Sequence, residues 1–116
     1  MRPKLAQGTH RVIQATDIVD GNGDALTVDG WSVLAYAAAE TVGGTVLHVW
    51  STNPSADQGQ ATATGRTVKV FITPAQSNTW SCERVVVQAF LTSPDATQTE
   101  RIINRTYDLD RRIAAA

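Results

Sequence analysis

Cysteine is nearly missing from this chain: Cys82 stands alone among 116 residues. One thiol makes no intrachain disulfide, and zinc sites built on cysteine pairs are excluded with it. Histidine is as sparse, with His10 and His48, and proline occurs four times. No apolar run approaches the ~20 residues that a membrane-spanning helix needs. Ten basic and eleven acidic side chains leave a net charge of −1 at pH 7, so the cationic excess of a nucleic-acid binder is lacking. These absences predict neither a nucleic acid nor a membrane among the partners. Met1-Arg2-Pro3-Lys4 is basic but no apolar stretch follows it, unlike a secretory signal peptide. That fits an intracellular product or a virion protein released by lysis.

What the chain has in quantity is β-branched residues: 15 Thr, 12 Val and 6 Ile. Their stiff side chains suit a pleated sheet better than a helix. Alternation of apolar and polar residues predicts strands over Arg11–Thr16, Trp31–Ala37, Thr45–Trp50, Arg66–Thr73, Glu83–Leu91 and Thr99–Tyr107, the last extending toward Ile113. Ala61–Thr64 is short and reads as an edge strand. Ala37-Ala38-Ala39-Glu40 has helix propensity that Gly43-Gly44 cuts off. Asp20-Gly21 and Asn22-Gly23 supply the positive-φ residues of a tight hairpin turn. About seven strands at this spacing predict an all-β fold, an antiparallel β-sandwich of immunoglobulin-like type. Residues 1–9 read as an N-terminal arm, 10–113 as a single domain and 114–116 as a tail. Trp31, Trp50 and Trp80 are candidate anchors of a core or an interface.

Four kinds of chemistry compete for these residues. Cys82 and His48 are a conceivable nucleophile and base, but nothing in the sequence specifies the electropositive niche that activates a thiol. Asp20, Asn22 and Asp24 have the 1, 3, 5 spacing of an EF-hand calcium loop. Ala25 and Trp31 then occupy the places of its turn glycine and its bidentate glutamate, so a polar β-turn explains the same letters. Trp50, Trp80, Tyr36 and Tyr107 are candidates for stacking on sugar rings, against the ordinary role of large aromatics in packing. The eight Asp and three Glu are scattered over turns, without the convergent pair that a glycosidase needs. The expectation is therefore of no enzyme, no cofactor and no metal.

Charge is segregated instead. Asp17, Asp20, Asp24 and Asp29 cluster early, and Arg101, Arg105, Arg111 and Arg112 cluster late. Arg101 and Arg105 are expected on one strand face with Ile103 and Tyr107. A solvated sheet face accounts for this. A sharper expectation is a head-to-tail contact between copies, the arginine-rich end of one meeting the aspartate-rich loop of the next. Asp20, Asp24, Trp50, Arg101, Arg105, Arg111 and Arg112 are the candidate partner contacts.

The run Asp20-Gly-Asn-Gly-Asp-Ala-Leu-Thr-Val-Asp-Gly-Trp-Ser-Val-Leu-Ala35 resembles the opening of small immunoglobulin-like proteins of tailed bacteriophages, where a turn of the type D-G-x-P-L-x-L-x-G-W enters the first core strand. Later features are similar: a strand ending near Trp50, Gly65-Arg-Thr-Val-Lys-Val followed by Thr79-Trp80, Ser93-Pro94-Asp95, Glu100-Arg101-Ile102, and a close from Tyr107 to Arg112. The likeness spans about residues 17–113. Ala25 stands where these relatives often carry proline, and Asn104 where a hairpin glycine is common. The group includes tail-tip, baseplate and collar proteins and modules fused to receptor-binding proteins. The resemblance implies a structural protein of the virion, homo-oligomeric, forming a ring or array on the tail or baseplate and docking fibres or neighbouring tail proteins. A head decoration or minor capsid protein is the alternative, and a module that binds host glycans is the alternative of another class. The arm and the tail are expected to become ordered on assembly.

Overall fold

A computed structural model describes residues 3–40 and 44–110 of the chain. The fold is all-β. Its strands are β1 (Lys4–Ala6), β2 (Arg11–Ala15), β3 (Ser32–Ala39), β4 (Val46–Ser51), β5 (Gly59–Thr64), β6 (Thr67–Ile72), β7 (Arg84–Thr92) and β8 (Thr99–Asp110), with one short helix, α1 (Pro74–Ser77). Eight strands, where the alternation predicts about seven, are hydrogen-bonded in the order β1-β8-β7-β3-β4-β5-β6-β2 and curl almost into a barrel. No helix among the described residues is long and apolar enough to cross a membrane.

Period-2 patterning explains the elements that sequence predicts well. On β7, Val85, Val87, Ala89 and Leu91 are all buried. On β3 the inward set is Val33, Ala35 and Ala37, and on β6 it is Val68, Val70 and Ile72. Three of these ten are alanines, and the space they leave is filled from neighbouring elements. Trp50 lies beside Ala35 in the β3–β4 register, and its ring meets that of Trp80 edge-on at 6.3 Å. Large against small is how a core reaches crystal-like density without strained rotamers.

The N-terminal segment departs from the expectation of an arm. Lys4–Ala6 pairs in parallel with Asp108–Asp110, and Leu5 is buried in the core. The chain then turns at Gly8, whose φ of 75° favours glycine, and pairs as β2 antiparallel to β6. One stretch thus supplies both ends of the strand order, and Arg105 Nη2 of β8, the neighbour of β1, donates to the Gln14 carbonyl of β2 at 3.0 Å. Lys4–Ala6 is therefore part of the folded sheet. A deletion of residues 1–9 removes a core side chain, so it cannot be expected to leave the fold intact.

Three other expectations need correction. Ala37–Ala39 is strand, because pairing to Val85–Val87 outweighs the weak helix preference of alanine. β5 is no edge strand: Ala61–Thr64 pairs with β6, and Gly59 and Gln60 pair with Trp50 and Ser51 of β4. The stretch between the predicted strands Arg66–Thr73 and Glu83–Leu91, left without an element, contains α1, whose capping box is legible as Thr73-Pro74-Ala75-Gln76. The proposed extension of β8 past Asp110 and the tail at 114–116 lie outside the described residues.

Candidate interaction surface

The aspartate-rich segment is a fastening. Asp20 Oδ1 accepts from the backbone N–H of Asn22 at 2.8 Å and of Asp24 at 3.0 Å, which folds the turn closed around Gly23. Asp29 Oδ1 accepts from Gly65 N at 2.9 Å, and Arg66 donates to the Ile18 carbonyl. Both contacts hold the segment against the β5–β6 turn. Asp20 and Asp24 are thus brought together, as a polar turn. No three His, Cys, Asp or Glu side chains converge among the described residues.

Trp50 is buried, contrary to its role as an exposed contact. Its indole N–H donates to Gln76 Oε1 at 3.0 Å, and the same oxygen accepts from Thr73 N at 3.0 Å. The capping box of α1 therefore also satisfies the largest core side chain. Gly59 lies flat on the indole; a Cβ there would collide with the Trp50 ring and the Gln76 amide. On the other side of α1, Gln7 Nε2 donates to the carbonyls of Ser77, Asn78 and Trp80, and Gly8 N donates to Ser77 Oγ at 2.8 Å. These groups close one end of the molecule.

Trp80 and Tyr107 are buried as well, so the four aromatics expected to stack on sugar do not form an exposed row. His48 is half-buried, edge-on to Trp50 at 4.8 Å, and its Nε2 has no hydrogen-bond partner among the described residues. Burial lowers its pKa, which favours the neutral ring. Cys82 packs at the margin of the core.

Arg101 and Arg105 do not share a face. The β7–β8 register shifts between Ala89 and Phe90, so Arg101 lies opposite Phe90 while Ile103 lies opposite Ala89. This bulge at Ile102 reverses the alternation. Arg101 joins the outer face of the sheet. Arg105 keeps the parity of Ile103 and Tyr107 but is exposed, reaching across to β2. Arg111 and Arg112 lie outside the described residues.

The feature that sequence reasoning misses is the outer face of β4-β3-β7-β8. Its first row is Ser51, Leu34, Phe90 and Arg101; its second is Val49, Tyr36, Gln88 and Asn104; its third is Val46, Ala38, Val86 and Thr106. Leu34 is 50% exposed and Val46 54%. Tyr36 and Phe90 stack at 5.9 Å and are half-buried. Polar groups of the second row are satisfied within the sheet: Tyr36 Oη donates to Gln88 Oε1 at 2.6 Å, and Gln88 Nε2 donates to Asn104 Oδ1 at 3.1 Å. Such a face loses water at little cost, because its central polar atoms already have partners. The signal was present in β7, whose Val85-Val-Val-Gln-Ala-Phe-Leu91 is apolar on both sides, as in strands covered twice.

No protein-family model, curated protein or solved structure matches this chain.

Proposed function

We propose that this chain is a structural virion protein of a tailed bacteriophage, working through its outer surfaces. It assembles with copies of itself in a ring or array on the tail or baseplate and docks fibres or neighbouring tail proteins. The observation that carries this reading is the broad, apolar, internally hydrogen-bonded outer face of β4-β3-β7-β8. Exposed faces of this kind mark sites of protein association.

The fold reading beneath it is immunoglobulin-like. Two groups of strands support it: β2-β6-β5 on one side and β1-β8-β7-β3-β4 on the other, with a first segment shared between them. The β4–β5 pairing at Gly59 and Gln60 joins the two groups into one continuous sheet, so the support for two facing sheets, as in immunoglobulin-like domains, lies in their strand grouping alone. The chain departs from antibody domains in lacking their intersheet disulfide and in placing Ala35 at the centre of β3, its two buried tryptophans coming from β4 and from the segment after α1. The likeness of residues 17–113 to small phage proteins supports the virion placement.

Mass spectrometry of purified particles, followed by imaging, tests the proposal. The expected result is this chain at tens of copies on the tail. Several hundred copies on the head would favour the decoration reading, and absence from particles would refute both.

A further inference from the structure

We infer that the side-chain amide of Asn22 is a site of spontaneous covalent modification whose rate is set by the hydrogen bonds of its own turn, a property of the chain itself that does not depend on the virion reading.

The chemistry is that of an asparagine followed by a residue without a side chain. The peptide nitrogen of Gly23, having given its proton to solvent, attacks Cγ of Asn22. A new C–N bond forms, the side-chain amide C–N bond breaks, and the amide nitrogen takes up a proton and leaves as ammonia. Water then opens the five-membered succinimide at one of its two carbonyls. One opening gives aspartate. The other gives isoaspartate, in which the main chain runs through the side-chain methylene. Water is the only co-reactant.

Four asparagines compete, and the residues that follow them decide the order. Pro54, after Asn53, has no N–H to lose. Thr79, after Asn78, is branched at Cβ and crowds the approach. Asn104 is held in the β7–β8 ladder opposite Gln88, and its Oδ1 accepts from Gln88 Nε2 at 3.1 Å. Asn22 and Gly23 are exposed, and Gly23 brings no Cβ to the attacking nitrogen.

The fold sets a brake on the reaction. Gly23 N–H donates to the Asp20 carbonyl at 3.0 Å, so the attacking nitrogen is engaged and Asn22 is held inside a closed β-turn. Asp20 Oδ1 holds the turn a second way, accepting from Asn22 N at 2.8 Å and from Asp24 N at 3.0 Å. Ring closure needs these bonds broken. Conversion therefore proceeds from the locally opened turn, at the free-chain rate scaled by the fraction of time the turn is open. Asp20 is the positioning residue that keeps that fraction small.

The change stays local. Ile18 and Val28 on either side are buried, and Asp29 and Arg66 fasten the segment to the β5–β6 turn. The tip gains one negative charge on a chain of net charge −1. In isoaspartate it also gains one main-chain atom between Asp20 and Asp24. Loss of ammonia makes the step one-way.

Peptide mapping by mass spectrometry, on the full chain incubated in neutral buffer, is the test. Asn22 should convert before Asn53, Asn78 and Asn104, seen as exchange of –NH2 for –OH in its peptide and as an anion-exchange shift of one charge. In guanidinium chloride, where the turn is lost, conversion at Asn22 should be about tenfold faster. Asp20→Ala, with circular dichroism unchanged, should move the folded chain most of the way to that rate. Asp20→Ser, whose hydroxyl accepts in the same kind of turn, should restore much of the brake. Asn22→Gln should abolish the early charge shift, since its ring would have six members. Conversion first at another asparagine, or none at Asn22 in the folded chain, would overturn the site. Equal rates in the folded and unfolded chain would overturn the brake, and an Asp20→Ala variant no faster than the parent would overturn the role of Asp20.

Discussion

The two faces of the β3–β7 sheet are both apolar, and they differ in what surrounds them. Inside, Val33, Ala35, Ala37, Val85, Val87, Ala89 and Leu91 are covered by Trp50, Trp80 and the strands opposite. Outside, Leu34, Tyr36, Ala38, Val86 and Phe90 have only the edges of their neighbours. The inner residues are mostly small and are selected by fit. The outer ones are larger, and their polar members bond sideways. An apolar strand face is thus a fold determinant on one side and an open surface on the other, and only the rest of the chain decides which.

The largest expected effect lies inside. Trp50→Ala should destabilise the fold by about 3–5 kcal/mol, since it opens a cavity and strands the Gln76 capping box, measured by urea unfolding. A paired truncation sharpens the contrast between faces. Leu91→Ala, fully buried, should cost about 2–5 kcal/mol, and Leu34→Ala under about 1 kcal/mol in the monomer. Equal losses would mean that the outer face is already covered. Gly59→Ala tests the fit of the inner side from the backbone: the added methyl strikes the Trp50 ring, at an expected cost of about 1–3 kcal/mol.

Smaller effects belong to the β7–β8 turn, outside both faces. Ala96 sits at φ 60°, in the left-handed region. Ala96→Gly should stabilise by about 0.5 kcal/mol, as relief of roughly 1 kcal/mol of strain exceeds the added freedom of the unfolded chain. Asp95 accepts from Ser93 Oγ at 2.6 Å and Thr97 Oγ1 at 2.7 Å, bonds that hold its pKa down at about 2. A depressed folded-state pKa stabilises above the unfolded value near 4, and that support is lost as pH falls through about 2. Asp95→Asn should therefore lose less melting temperature than the parent between pH 5 and pH 2, by a small margin because the group is exposed.

Much of the fold was legible where alternation is strict. The alternation of Arg66–Thr73 places Val68, Val70 and Ile72 on one side of the strand, and they are buried together. What was not legible depends on distant partners. β1 offers one buried residue in three, and only β8 makes it a strand. The face of Arg101 turns on a bulge that no local pattern announces. Trp50 ends its strand before a polar loop, so burial came from Gly59 and Gln76, which approach from elsewhere. The capping box is spelled out locally, as Thr73-Pro74-Ala75-Gln76. Of the candidate contacts, Asp20 is hydrogen-bonded within its own turn, Trp50 is buried and Arg101 is exposed on the outer face.

The pairing of Lys4 with Asp108 has a consequence for biosynthesis. A ribosome releases Leu5 roughly a hundred residues before the strand that will shelter it exists. Until then Leu5 has no seat, and a nascent chain must hold that piece open while the middle strands collapse. Closure of so long a loop comes late and slowly. Chaperone capture or mispairing of the unsealed intermediate is the hazard of sealing the molecule with its earliest segment.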